Sequence, residues 1–365
     1  MSTKTIKCPN CGGPLHFEPN IQKNKCDYCL SEFTNEELKV LTKGEFEETE
    51  HDHEHQHDHY HEHTEEFETE QSAFEEHLSE YTCNSCGANV VTEETTSTTF
   101  CYYCHNPVIL TDRISGEFRP DKVIPFTFDK EKALNKFINW SKKFKFVPKE
   151  FYSKSQLEKM TGLYVPNWMA ETDAQVDYQG TGTAVRVWRV GDTEYTEYKK
   201  FDISRQGDIK VENITEIALK KIDHDLLKTI TPYDESKAVD FDVSYLNGFF
   251  SEKYDIKSDD LKKTVEDRAE IYTNNLLKDT VSRYRSVDIK KSEVNAKINR
   301  WTYILLPVWI LTYNFGGKTY IYAVNGQTGK SFGELPLDYK KLSVNAVAIF
   351  AAVLAVLLIG GLLIW

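Results

Sequence analysis

The chain has 365 residues, 40% of them hydrophobic, and a formal net charge of -13 at pH 7, which leaves room for two or three compact units plus linkers. The acidity is local: residues 44–80 hold 15 Asp or Glu and no Lys or Arg, and without them 42 acidic residues face 44 basic ones, a net of +2. A nearly neutral body lacks the long basic surface that counterion release requires, which argues against nucleic acid as a partner.

All eight cysteines fall into four Cys-x-x-Cys pairs: Cys8/Cys11, Cys26/Cys29, Cys83/Cys86 and Cys101/Cys104. The opening stretch MSTKTIKCPN has no apolar signal core, so the pairs point to metal thiolates in a reducing compartment rather than to disulfides. Residues 5–33 and 81–109 repeat one unit, C-x2-C-x14-C-x2-C, with Gly12 and Gly87 directly after the first pair. Each pair forms a knuckle that aims two sulfurs at one ion. The hairpin between brings the second knuckle opposite the first, and four thiolates close a structural site. So small a unit has almost no apolar core, and metal binding supplies its folding energy. The expectation is a zinc ribbon over 1–40, a second over 81–111, and Zn2+ in both. Iron in a rubredoxin-like site is the competing metal, and free or redox-active thiols are the non-metal alternative. His105 follows a site already filled by four cysteines and reads as a surface residue.

Residues 41–80 form an acidic, His-rich linker. Within it His51, His53, His55, His57, His59, His61 and His63 occupy every odd position. In an extended chain they share one side and form a secondary candidate set for Zn2+ or Ni2+. The alternative is a solvated linker whose composition has no dedicated role. Phe67, Phe74, Leu78 and Tyr81 lie at roughly helical spacing, which predicts a short amphipathic helix leading into the second ribbon.

From 112 to 340 the composition becomes that of an ordinary globular α+β domain. VIPFTF (123–128) reads as a strand, and 129–144 as a helix capped by Asp129 with Ala133, Phe137 and Trp140 on one face. Residues 162–211 read as several strands separated by Gly-containing turns, Gly180-x-Gly182 making one of them. The domain's longest helix is expected over 258–285, capped by Ser258, with a stripe of Leu261, Val265, Ala269, Tyr272, Leu276, Val281 and Tyr284. WTYILLPVWILTYNF and KTYIYAVN form a hairpin through Gly316-Gly317, followed by a turn around Asn325-Gly326. Pro166-x-Trp168 and Pro307-x-Trp309 both lie inside strand-like runs and hint at two related half-sheets.

From Ala346 to Trp365 the sequence carries no charge and no strongly polar group. Twenty residues make about 30 Å of helix, the thickness of a bilayer core. A transmembrane helix is therefore expected over 344–365. Lys340 and Lys341 precede it, so the bulk of the chain is expected in the cytoplasm, as a tail-anchored, single-pass protein of the cell membrane. Ala351, Ala355, Gly360 and Gly361 give that helix small residues through which two copies can meet, making a homo-oligomer possible.

No P-loop, G-x-G-x-x-G after a strand, G-x-S-x-G or H-E-x-x-H occurs. His224 between Asp223 and Asp225 suggests acid–base chemistry, but adjacent helical residues do not converge. No catalytic residue is assigned. The second ribbon has no Lys or Arg between Thr82 and Thr111, which suits a protein-docking surface better than a phosphate-binding one.

The CPNCGGPL ribbon, the second four-cysteine ribbon, the segment LPVWILTY…KTYIYAVNGQTGKSFGELP and the terminal apolar helix together resemble the membrane-anchored, transcription-factor-IIB-type zinc-ribbon proteins of Gram-positive bacteria. The resemblance covers the chain apart from the His tract. It implies association with flotillin-like (SPFH) and phage-shock-type membrane-stress proteins, and no catalytic residues. The reading that follows is a non-enzymatic, tail-anchored adaptor that recruits cytosolic partners through its ribbons. The alternatives are a membrane-tethered binder of nucleic acid or the transcription machinery, and a zinc-responsive sensor.

Overall fold

The computed structural model describes residues 3–41, 78–101, 103–148, 151 and 157–364. The histidine tract, Phe67 and Phe74 lie outside them. Four strands belong to the first ribbon: β1 (Thr3–Lys4), β2 (Leu15–Glu18), β3 (Lys23–Cys26) and β4 (Glu32–Phe33), followed by helix α1 (Asn35–Leu41). The second ribbon contributes β5 (Leu78–Thr82), β6 (Asn89–Glu93), β7 (Thr96–Phe100) and β8 (Pro107–Leu110). Helical spacing at Leu78 and Tyr81 is overridden by pairing: Tyr81 lies opposite Val90 in a β5–β6 hairpin and is buried there.

The body is α+β and is built on two long strands. β9 (Lys122–Val123), α2 (Lys130–Ser141), β10 (Thr161–Val190) and β11 (Thr193–Ile217) come first. Helix α3 (His224–Thr229), β12 (Val239–Asp240) and β13 (Phe250–Glu252) follow, then α4 (Ser258–Thr280), β14 (Ser286–Phe315), β15 (Lys318–Asn325), β16 (Ser331–Gly333) and α5 (Tyr339–Ile364). β10 and β14 run antiparallel from Thr161↔Ile310 to Thr183↔Ser286. At about 3.3 Å per residue, each 30-residue strand spans roughly 100 Å.

The two halves repeat a βαββ unit, β9-α2-β10-β11 and β13-α4-β14-β15. Each unit's first strand pairs in parallel with the long strand of the other: Val123 with Leu305, and Ser251 with Tyr164. Two residues on come Pro307 and Pro166. One residue beyond each proline the return strand takes over, at Val308↔Asn325 and Asn167↔Ile217. The prolines thus occupy the level where each long strand changes partner, so the N–H they lack leaves no gap in a continuous ladder. Each helix starts seven residues after its anchoring strand residue, Lys130 after Val123 and Ser258 after Ser251. The tryptophans match too. Trp309 packs on Phe126 at 4.9 Å and 57°, and Trp168 on Tyr254 at 5.1 Å and 55°. The paired Pro-x-Trp motifs therefore belong to two interlocked halves.

The segment 162–190 is one strand, where the sequence suggests several. Gly180 and Gly182 make no turn. They lie on the face covered by α4, in line with Ala174, Val176 and Tyr178. A Cβ on Gly180 would sit 2.7 Å from the carbonyl oxygen of Asp288, beside a bulge that leaves Lys290 unopposed, and one on Gly182 would sit 2.6 Å from the Tyr284 ring. These glycines permit close approach, the other use of a glycine inside a strand.

Helix α2 is capped by Asp129, which accepts from the Lys132 N–H at 2.8 Å. In α4 the cap is Lys257, one residue earlier than expected; its N–H is accepted by the Asp260 carboxylate at 3.3 Å, and Ser258 is the first helical residue. The buried stripe is Val265, Ala269, Thr273, Leu277 and Val281, whereas Tyr272 and Leu276 are exposed. Alanines 170, 174 and 296 on the sheet let α4 lie close. The Gly316-Gly317 turn has φ of 60° and 78°, as a type I′ hairpin demands. Asn325 organises the next turn, its Oδ1 accepting from Gln327 and Thr328 at 2.9 Å each.

The ribbons are joined to this body. β7 pairs with β13, β8 pairs with β7, and β1 pairs with β8, so the main sheet runs across the sequence boundary at 111/112. The first ribbon docks through buried asparagines: Asn247 Nδ2 donates to Asn24 Oδ1, and Asn24 Nδ2 to Asn35 Oδ1, each at 2.8 Å.

Gly182→Ala places a methyl group against the Tyr284 ring, and overpacking of this kind costs about 1–3 kcal/mol. Chemical denaturation of the detergent-solubilised chain should show that loss.

Candidate metal centres

Four knuckles share one backbone pattern. In each, the first cysteine's N–H donates to the carbonyl five residues on, and its own carbonyl accepts the N–H four residues on. The pairs are Cys8 with Gly13 and Gly12, Cys26 with Ser31 and Leu30, Cys83 with Ala88 and Gly87, and Cys101 with Asn106 and His105, at 2.7–3.0 Å. The residue four on from the first cysteine takes a positive φ every time: 73° at Gly12, 61° at Leu30, 77° at Gly87 and 56° at His105. Glycine suits that conformation; Leu30 and His105 are strained there. The conformation explains His105, which is exposed and belongs to neither sulfur cluster.

The knuckles converge as the spacing predicts. Cys8, Cys11, Cys26 and Cys29 form one group, and Cys83, Cys86, Cys101 and Cys104 the other, all ligand atoms within 4.8 Å of one another. Sγ separations are 3.5 Å for Cys8–Cys29 and Cys11–Cys26, 3.8 Å for Cys83–Cys104 and 3.7 Å for Cys86–Cys101. Four sulfurs at about 2.3 Å around a tetrahedral ion lie about 3.8 Å apart, so both groups fit a four-thiolate metal site. In each pair the first cysteine is buried and the second is more open. The protons are unevenly held: the Ser31 hydroxyl and then its backbone N–H hold the Cys29 thiol down at about 6, and burial pushes Cys104 up to about 12. A bound ion would replace the protons on the reluctant thiols.

The two sites are supported differently. The first ribbon folds its own sheet, β2-β3-β4. The second shares β7 and β8 with the body and is pinned by Arg113, which is only 5% exposed. Its guanidinium lies 5.0 Å from the Tyr81 ring centre and donates to Thr96 O at 2.8 Å, Thr92 Oγ1 at 3.3 Å and Glu93 O. Sequence reasoning missed this residue because it follows the ribbon and looks like an ordinary surface charge. Lys221 adds a second tie, bridging Glu93 of β6 and Glu252 of β13, the latter at 3.0 Å. Asp223 caps α3 by accepting from Leu226 N–H at 3.0 Å, and His224 Nε2 contacts Leu219 O at 2.7 Å.

Helix α5 is long and apolar enough to cross a membrane, with a mean hydropathy of 1.8 over Tyr339–Leu357 and none of that segment buried in the body. Two four-cysteine metal sites, an interlocked α+β sheet and one such helix define a metal-site protein with a candidate membrane span. The chain belongs to the family of the uncharacterized protein YdjG of Bacillus subtilis, with which it is 33% identical over 235 residues, 64% of this chain and 69% of that one. No family model matches the chain, and no solved structure matches it.

Leu30→Gly and His105→Gly should each raise the melting temperature, because relief of the left-handed conformation is worth about 1 kcal/mol. Elemental analysis of protein kept reduced should find two metal ions per chain. A titration should show them released as pH falls, since protons compete for the thiolates.

Proposed function

We propose that the protein is a non-enzymatic adaptor, held to a bacterial membrane by α5 with its body in the cytoplasm, that recruits cytosolic partners through two zinc ribbons. The observation that carries the reading is a pair of equivalent tyrosines. Tyr28 and Tyr103, each directly before the last cysteine of its ribbon, are 76% and 74% exposed. Leu30 joins Tyr28 on the first ribbon's surface. An aromatic side chain on a rigid, metal-held knuckle is a suitable contact residue, because it covers much area and loses little freedom on binding. A four-thiolate site keeps no open position for substrate, which fits a structural role for Zn2+. Lys340 and Lys341 at the start of the apolar helix favour the cytoplasmic side for the body. The partners we propose are flotillin-like and phage-shock-type membrane-stress proteins.

The Tyr28→Ser/Tyr103→Ser double variant leaves both sulfur clusters intact. In affinity purification from gently solubilised membranes it should lose those partners while keeping two metal ions and staying in the membrane fraction. Full retention of the partners overturns the reading. Polymerase or nucleoid proteins in place of them, lost on nuclease treatment, would turn it toward nucleic acid.

A further inference from the structure

Helix α2 ends in a run of charge and aromatic side chains, Trp140-Ser-Lys-Lys-Phe-Lys-Phe146. Lys142, Lys143 and Lys145 are exposed, and Phe144 between them is 48% exposed. In sequence this run is far from the apolar helix; in the fold it lies at that helix's base. Asp338, which caps α5 by accepting from Lys341 N–H at 3.1 Å, donates its own N–H to Phe146 O at 2.7 Å. Lys341 Nζ donates to Val147 O at 3.0 Å and pairs with Asp338 at 3.2 Å. The end of α2 is fixed to the sheet as well: Phe137 and Trp140 pack on Tyr322 of β15 at 4.9 and 4.6 Å, and Phe144 packs on Trp140 at 5.5 Å. Lys142 is four residues from the carbonyl bonded to Asp338, so chain length alone keeps it within about 15 Å of the helix start.

Lys341 is matched by Asp338, and Lys318 by Glu334 at 2.9 Å. Among the described residues, Lys142, Lys143, Lys145 and Lys340 form no ion pair with a carboxylate. We infer that these four lysines, with Phe144 among them, form a surface that binds the anionic phospholipid headgroups of the bilayer α5 enters. The inference rests on reading α5 as a membrane span. The occupant follows from position and charge: the patch lies beside the point where an apolar helix leaves the body, where a negatively charged leaflet is the adjacent surface. Each lysine brought to such a surface raises the binding constant about fivefold, within a Debye length. An exposed aromatic side chain suits the headgroup level.

The test uses the full chain in nanodiscs of phosphatidylcholine alone or with a third phosphatidylglycerol. Hydrogen exchange of residues 140–147 is followed by mass spectrometry. The expected result is several-fold slower exchange in the anionic discs, abolished by 0.5 M salt and by the Lys142→Gln/Lys143→Gln/Lys145→Gln variant, with exchange of β10 and β14 unchanged in both. Equal exchange in the two lipids, for a protein that resists alkaline extraction, overturns the lipid surface and leaves the span standing. Release of the wild-type protein by alkaline extraction overturns the span, and the inference with it.

Discussion

The pairing of β10 with β14 is the interaction on which the rest of this molecule depends. It brings the two Pro-x-Trp segments side by side, and each then accepts the other half's short first strand. It provides the floor on which α4 lies, lined by Ala170, Ala174 and Ala296 so that the helix can approach. It also makes the sheet long. β14 ends its pairing at Thr183, and β10 and β11 continue alone to Val190 and Thr193 as a two-stranded arm with Trp188 stacked on Tyr195 at 5.7 Å.

The metal sites are local in chemistry and non-local in support. Each knuckle is set by a few backbone hydrogen bonds and a left-handed residue, so four thiols converge wherever the motif is placed. What differs is the attachment. The first ribbon keeps β2-β3-β4 as its own sheet, lends only the short β1 to the main sheet, and meets the body through Asn24 and Asn247. The second gives its last two strands to the main sheet and depends on Arg113 to close its hairpin. Cysteine substitutions in the second ribbon would therefore disturb the sheet as well as the metal, whereas changes at Tyr28 and Tyr103 touch surface alone.

The parts legible in the sequence are those whose cause is local. Cysteine spacing, the Gly316-Gly317 turn and the Asp129 cap each involve a handful of adjacent residues, and each was found where expected. Gly180 and Gly182 were misread because a glycine in a strand has two explanations, turn and close approach, and the deciding atoms belong to Asp288 and Tyr284, far along the chain. Leu78 and Tyr81 fit a helix by spacing, yet hairpin pairing opposite Val90 and Glu93 decides their conformation. β7, TSTTF, has no apolar alternation to announce that it joins the main sheet. Nothing nearby in sequence places the basic run at 142–145 beside α5; the hydrogen bond from Asp338 to Phe146 does.

The exchange of first strands has a consequence for how the chain is made. β9 is synthesised early, but its partner, Ile304–Leu305, comes almost two hundred residues later, and β15 closes the second half only shortly before α5 begins. Neither half has a complete sheet of its own, so the body has high contact order and no half that can settle first. An emerging chain would present unpaired strand edges until nearly all of it is available. The apolar helix α5 therefore follows almost directly on the completion of the body, and its emergence and the folding of the sheet fall within the same interval of the protein's synthesis.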